Sequence, residues 1–154
     1  MTIQDCTTGA TLVSQKMYLT PGPLVMAIKG YWPLNQFSIE GIAASYVPAA
    51  PGQSGARLFN LMPDVVSAGM KAGGTTLVDG VKFTLGSVWA PVPDDQTQTY
   101  VAFDDQTGAT LTSDSFEAPS SPFVFTNFLI GMRNATAGSA LAPRFVPLVD
   151  APEQ

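Results

Sequence analysis

The residues of this chain best suited to chemistry are two adjacent pairs of carboxylates, Asp94-Asp95 and Asp104-Asp105. General acid–base work needs two carboxyl groups converging on one substrate, and neighbours on a strand point to opposite faces. Neither pair is therefore a ready-made couple. Their positions beside Pro93 and Gly108 read better as turns, where aspartate bonds its own backbone. The chain has no histidine. The usual base at neutral pH, the Ser-His and Cys-His nucleophile systems and the commonest metal ligand are all missing with it. Cys6, the single cysteine, can form neither an intrachain disulfide nor a zinc site of cysteines. No catalytic residue and no bound cofactor is expected, and the chain does not read as an enzyme. Calcium is the sharper use of the aspartates, because Ca²⁺ takes oxygen ligands from loops. The candidates are Asp104 and Asp105, for an ion held between subunits, although the spacing matches no EF-hand loop.

The elements that would position these residues are short and heavily punctuated. Fourteen glycines and 13 prolines are scattered without period, as an all-β chain requires and helices tolerate poorly. Strands are expected over Thr11–Leu19, Leu24–Ile28, Phe37–Val47 and Ala56–Met62, the last two joined as a hairpin across the Pro48–Gly55 loop. Asp64 suits the N-cap of one short helix near 64–73, ended by Gly73-Gly74. Asp79-Gly80 is the best hairpin turn in the chain, between Thr75–Val78 and Val81–Leu85. Pro91 and Pro93 restrict Val88–Pro93 to an edge or a loop. Strands over Gln98–Phe103, Ala109–Thr112, Pro122–Met132 and Leu141–Val149 complete a spacing typical of sandwiches and barrels. No repeat of fixed period and no domain boundary stands out, so 1–154 is expected as one domain with loose termini at 1–9 and 150–154.

Composition limits the partners. Net charge is −5, from nine Asp and three Glu against four Lys and three Arg. The seven cations are dispersed, which gives little support to a nucleic-acid contact, since phosphate binding needs clustered Lys and Arg. Phe123, Phe125 and Phe128 fit a core strand better than a base-stacking platform. No run approaches the roughly 18 apolar residues of a membrane span, and the first residues lack a signal peptide's pattern. Charged residues make up 12% of the chain, about half the usual share. A surface so sparsely charged is poorly protected against association, and a homo-oligomer is expected.

One stretch resembles the shell domain of small icosahedral positive-strand RNA viruses, the tombusvirus-like and satellite-virus capsids. It runs Phe37-Ser38-Ile39-Glu40-Gly41-Ile42-Ala43-Ala44-Ser45-Tyr46-Val47-Pro48, a small-residue loop over Pro51–Gly55, then Arg57-Leu58-Phe59-Asn60 and Asp64 ahead of the expected helix. Gly131–Ser139 is similar to that family's Gly/Ala-rich loop and Leu141–Pro147 to its closing strand. The resemblance implies an eight-stranded antiparallel jelly-roll sandwich, a capsid subunit that self-assembles into an icosahedral shell, and a place in the virion among other capsid proteins. Its contact residues would be Pro48, Pro51, Gln53, Trp89, Pro91 and Asp94. The family's basic N-terminal arm and its pattern of calcium aspartates are not reproduced. The competing readings are a virion or phage surface spike or head-decoration oligomer, and a carbohydrate-binding β-sandwich suggested by Tyr31, Trp32, Trp89 and Tyr100 near loops.

Overall fold

A computed structural model describes residues 2–16, 24–31, 36–43, 50–121 and 123–150. The chain divides into two compact units, Met1–Ser45 and Tyr46–Gln154. Every regular element among the described residues is a strand, and there are twelve of them rather than the expected eight.

The first unit is made of two hairpins. Strand β1 (Thr2–Gln4), inside the 1–9 segment expected as a loose terminus, pairs antiparallel with β2 (Thr11–Ser14), which lies within the expected strand Thr11–Leu19. Strand β3 (Leu24–Tyr31) pairs along its full length with β4 (Gln36–Ala43), from Leu24 opposite Ala43 to Tyr31 opposite Gln36. Where a hairpin was expected between Phe37–Val47 and Ala56–Met62, β4 pairs with β3, and the strand over Gln53–Asn60 pairs with two later strands. Tyr46, Val47 and Pro48, central to the viral resemblance, lie outside the described residues.

The second unit holds eight strands in two four-stranded sheets. One has the order β12-β11-β5-β8, from β5 (Gln53–Asn60), β8 (Ala90–Pro93), β11 (Val124–Ile130) and β12 (Arg144–Asp150). The other has the order β10-β9-β6-β7, from β6 (Ser67–Ala72), β7 (Thr75–Lys82), β9 (Thr97–Asp104) and β10 (Thr110–Glu117). Both contribute to one core. Ala56 and Leu58 from β5, Phe125 and Leu129 from β11 and Phe145 from β12 meet Ala68 and Met70 from β6, Val78 and Val81 from β7 and Tyr100 from β9. Tyr100 stacks on Phe116 at 4.3 Å and meets Phe125 edge-on at 5.6 Å, both favoured ring geometries. Two sheets closed over a shared apolar layer make a β-sandwich.

Three expectations are corrected here. The segment expected as a helix near 64–73 is the central strand β6, paired to β7 on one side and β9 on the other. Gly73 and Gly74, read as the end of that helix, have φ of 54° and 84° and form the β6–β7 turn. Two successive positive φ values match the type I′ turn, whose twist suits a two-residue hairpin. Asp79-Gly80, read as the turn, lies within β7 at a register shift between Ala68 and Met70 of β6. Nor is the sandwich wholly antiparallel. β5 and β11 run parallel, Gly55 opposite Val124 through Asn60 opposite Leu129.

That parallel pair is buried on both faces. Ser54–Asn60 and Val124–Leu129 are buried throughout, as expected for strands covered on both sides. On the face turned from the shared core, Phe59 and Phe128 lie 5.8 Å apart. There the Arg57 guanidinium also stacks 4.4 Å from the Trp89 ring and its Nε donates to Thr126 Oγ1 at 2.7 Å.

Candidate functional site

The expected contact residues converge in part. Pro51 and Gln53 are exposed on the 50–53 loop, and Pro91 is exposed on β8. Asp94 is half-buried and knits the loops together. Its amide donates to the Gly52 carbonyl at 3.4 Å, and its Oδ2 accepts from the Ser121 amide at 3.1 Å. Ser121 Oγ reaches the Ala50 carbonyl at 3.3 Å, and Ser120 Oγ donates to Asp95 Oδ1 at 2.5 Å. The Asp94-Asp95 pair is thus committed to loop bonding, as its turn position suggested. Trp89 is half-buried against Arg57. Pro48 lies outside the described residues.

Asp104 and Asp105 do not share a site. Asp104 is 1% exposed and its Oδ1 accepts from the amides of Gln106 and Thr107 at 2.7 and 3.1 Å. Its other oxygen accepts from the Arg133 guanidinium. Arg133 is fixed a second time, because its amide donates to Asp64 Oδ2 at 2.7 Å. Asp64 therefore caps the start of the 131–143 loop rather than a helix. Asp105 turns the other way, where its Oδ2 accepts from the Gly80 amide at 2.6 Å. Among the described residues no three carboxylate, cysteine or histidine side chains gather as metal ligands. A shallow cavity of about 450 Å³ beside Asp105 is lined by Ser67, Lys71, Thr76, Asp79, Gly80 and Phe103. The Lys71 ammonium covers the Phe103 ring at 4.7 Å, so the aromatic face is already occupied.

Of the aromatic residues proposed for sugar stacking, Tyr100 is placed otherwise. Tyr100 is fully buried in the core, where burial pushes its phenol up to about 12. Its hydroxyl has no hydrogen-bond partner. Trp32 lies outside the described residues.

Exposed apolar side chains stand at two places among the described residues, over 83–88 and at Leu141, Val146, Leu148 and Val149 on and before β12. By sequence, residues 83–85 fall at the end of the Val81–Leu85 strand and Val88 at the start of the Val88–Pro93 edge or loop. Val88 is 81% exposed and Leu85 52%, and Val66, whose carbonyl accepts from the Phe83 amide, is 61% exposed. Thr84 holds φ at 70°, a genuine outlier for a β-branched residue. Three backbone bonds hold it there. The Thr84 amide donates to Asn60 O at 2.7 Å, the Asn60 amide to Leu85 O at 3.1 Å and the Leu85 amide to Lys82 O at 3.0 Å. Asn60 is itself rigid, its Nδ2 donating to the carbonyls of Val65 and Val81 at 3.1 Å each and its Oδ1 accepting from the Met62 amide at 3.0 Å. Strain of this kind concentrates at working surfaces. A cleft of about 410 Å³ runs beside the loop, between Val78–Lys82 and Leu85–Val88.

The sheet edges are guarded by contrast. The β12-β11-β5-β8 sheet ends on β8 with Pro91 and Pro93 and on β12 with Pro147, and proline cannot donate to an added strand. β7 carries two register shifts. On β10 the Asp114 carboxylate accepts from the Ser115 amide at 2.8 Å, a bond that competes with a new strand for that donor.

No family model matches the chain, and no curated protein matches it.

Proposed function

We propose that this chain is a structural subunit that works by self-association, and that the particle it builds or decorates is a virion. The observation that carries the self-association is the exposed apolar side chains, Leu85 and Val88 beside one cleft and Leu141, Val146, Leu148 and Val149 on and before β12, on a chain with only 12% charged residues. Exposed apolar side chains gathered on one surface mark interaction sites. The guarded edges add a direction: association runs through faces and loops, not through strand addition.

The virion setting rests on the resemblance to viral shell domains, and the long loop between β11 and β12 supports its later part, the Gly131–Ser139 loop followed by a closing strand. The earlier part is weakened, since a strand stands where the family has its helix. In the jelly-roll form of the sandwich consecutive strands pass between the two sheets. Here β6–β7, β9–β10 and β11–β12 are hairpins within a sheet, and that connectivity favours the second reading, a surface spike or head-decoration oligomer, over the closed icosahedral shell.

Sedimentation of the purified chain over a range of concentrations tests the proposal. Multimers are expected, and a 16.2 kDa monomer at every salt concentration overturns it. Electron microscopy of the multimers then separates closed shells from small rings or trimers.

A further inference from the structure

We infer that the Leu85–Val88 loop and the cleft beside it form an isologous contact, in which a second copy of this chain docks about a two-fold axis with each Lys82 opposite the other copy's Asp79. The inference rests on the self-association reading and adds to it a surface and a partner.

The centre of the surface is apolar and the rim is charged. Leu85 and Val88 stand out from a loop whose backbone is pinned at Thr84, so both side chains are presented without a loss of loop entropy on docking. Lys82 and Asp79 line the same cleft. Both are exposed, and neither has an ion-pair partner among the described residues. One charge of each sign on a small patch is self-complementary, because a two-fold axis between them sets Lys82 against the partner's Asp79 and repeats the pair on the other side. A partner of uniform charge satisfies only one of the two groups, and a second copy satisfies both. Apolar centre and charged rim is also the usual anatomy of a protein contact. Strand addition is the rival mode for a β-sandwich, and the prolines of β8 and β12, the shifts of β7 and Asp114 on β10 oppose it at the edges of the two four-stranded sheets.

The test uses charge exchange on the full chain, read by sedimentation equilibrium. Lys82→Glu sets two carboxylates against each other in a homodimer, as Asp79→Lys sets two ammonium groups. Each is expected to weaken association at least tenfold, and Val88→Asp to weaken it more. An equimolar mixture of the Lys82→Glu and Asp79→Lys proteins is expected to recover 1:1 dimers, because both cross-contacts are again opposite in sign. Unchanged melting curves identify variants that fold normally, and the mixture keeps the test decisive where Val88→Asp fails to fold. Variants that associate like the parent chain, or a mixture that stays monomeric, overturn this contact while self-association stands. A monomeric parent chain removes both.

Discussion

The β1–β2 and β9–β10 hairpins are written in nearly the same residues. Asp5-Cys6-Thr7-Thr8-Gly9-Ala10-Thr11-Leu12-Val13-Ser14 recurs as Asp104-Asp105-Gln106-Thr107-Gly108-Ala109-Thr110-Leu111-Thr112-Ser113, with seven of ten positions identical. The geometry repeats bond for bond. Asp5 Oδ1 accepts from the amides of Thr7 and Thr8 at 2.8 and 2.7 Å, as Asp104 Oδ1 does from Gln106 and Thr107. Gly9 and Gly108 have φ of 71° and 70°, and each amide returns to its aspartate's carbonyl at 2.8 and 2.7 Å. Even the bulge is copied, since Gln4 faces Thr11 and Ile3 faces Val13, while Phe103 faces Thr110 and Ala102 faces Thr112. What differs is the surroundings. β9 is paired to β6 and Leu111 packs on the core, and Asp104 is buried against Arg133, whereas Asp5 is only half-buried. Local sequence thus specifies the turn and the bulge, and neighbours decide how much each residue is worth, as expected where a lone two-stranded hairpin is marginal in water.

The largest effect that separates the two copies is at the shared aspartate. Asp104→Ala removes the oxygen that accepts from two backbone amides and leaves the part-buried Arg133 guanidinium, 31% exposed, without its carboxylate. Breaking a buried, hydrogen-bonded charge pair costs about 3 kcal/mol, with the partial exposure of Arg133 counting against the upper end. Urea denaturation of the full chain measures it. A loss under about 1 kcal/mol, the range of an exposed pair, means that burial adds nothing to the copied turn.

Tyr100 sharpens the contrast from the middle of β9. Its phenol is held above the free value of 10.0 at about 12 by burial. The neutral form is favoured by folding, so this stability is fully present below pH 10 and is lost as pH rises toward 12. The sandwich is expected to unfold cooperatively in that window, with tyrosinate absorbance appearing together with loss of near-ultraviolet circular dichroism. Tyr100→Phe removes an unpartnered buried hydroxyl and is expected to be neutral or slightly stabilising below pH 10. A loss of stability there instead reveals a partner for the hydroxyl.

A smaller effect tests whether the turn itself is local. An added Cβ at Gly9 or Gly108 meets nothing within 4 Å, so the whole cost of an alanine is its left-handed backbone, roughly 1 kcal/mol. Gly108→Ala is expected to lower the unfolding free energy of the sandwich by that amount. A loss several times larger means that the turn is strained by its surroundings and is not the same object in both copies.

The two hairpins also mark what could be read along the chain. The Asp105–Gly108 turn was legible because Asx bonding and a left-handed glycine act within five residues. The edge assignment of Val88–Pro93 was legible because proline lacks a donor wherever it stands. Residues 65–72 were not. Asp64 offered a helix cap, but Gly69 lies so close beneath Phe103 that an added Cβ would sit 2.2 Å from the ring. Pairing to β7 and β9 outweighs a helix that already carries an interior glycine costing about 1 kcal/mol. With the helix gone, Gly73-Gly74 became the turn and Asp79-Gly80 the bulge. The parallel match of β5 with β11 joins segments far apart in the chain, and no local pattern encodes it. The exposed 83–88 loop escaped for a related reason: Thr84 takes its strained φ only because Asn60, on another strand, holds it.

The smallest effect belongs to Asp5, and its pH dependence is the cleanest way to isolate the hairpin from its context. The amides of Thr8 first and Thr7 second hold its carboxyl below the ordinary 3.8. A depressed folded value means that the turn's stabilisation is present above about pH 3.8 and is lost as pH falls through the folded value. The Thr7 and Thr8 amide resonances are therefore expected to move together below pH 3.8, with the midpoint shifted to acid, and their hydrogen exchange to lose protection relative to Gln106 and Thr107. Because the Asp5 hydrogen bonds lie at the surface, Asp5→Ala is expected to abolish that titration and leave the cooperative unfolding transition of the sandwich where it was. If the transition moves with Asp5→Ala, the first hairpin is coupled to the rest of the chain, and the difference between the two copies is one of degree and not of kind.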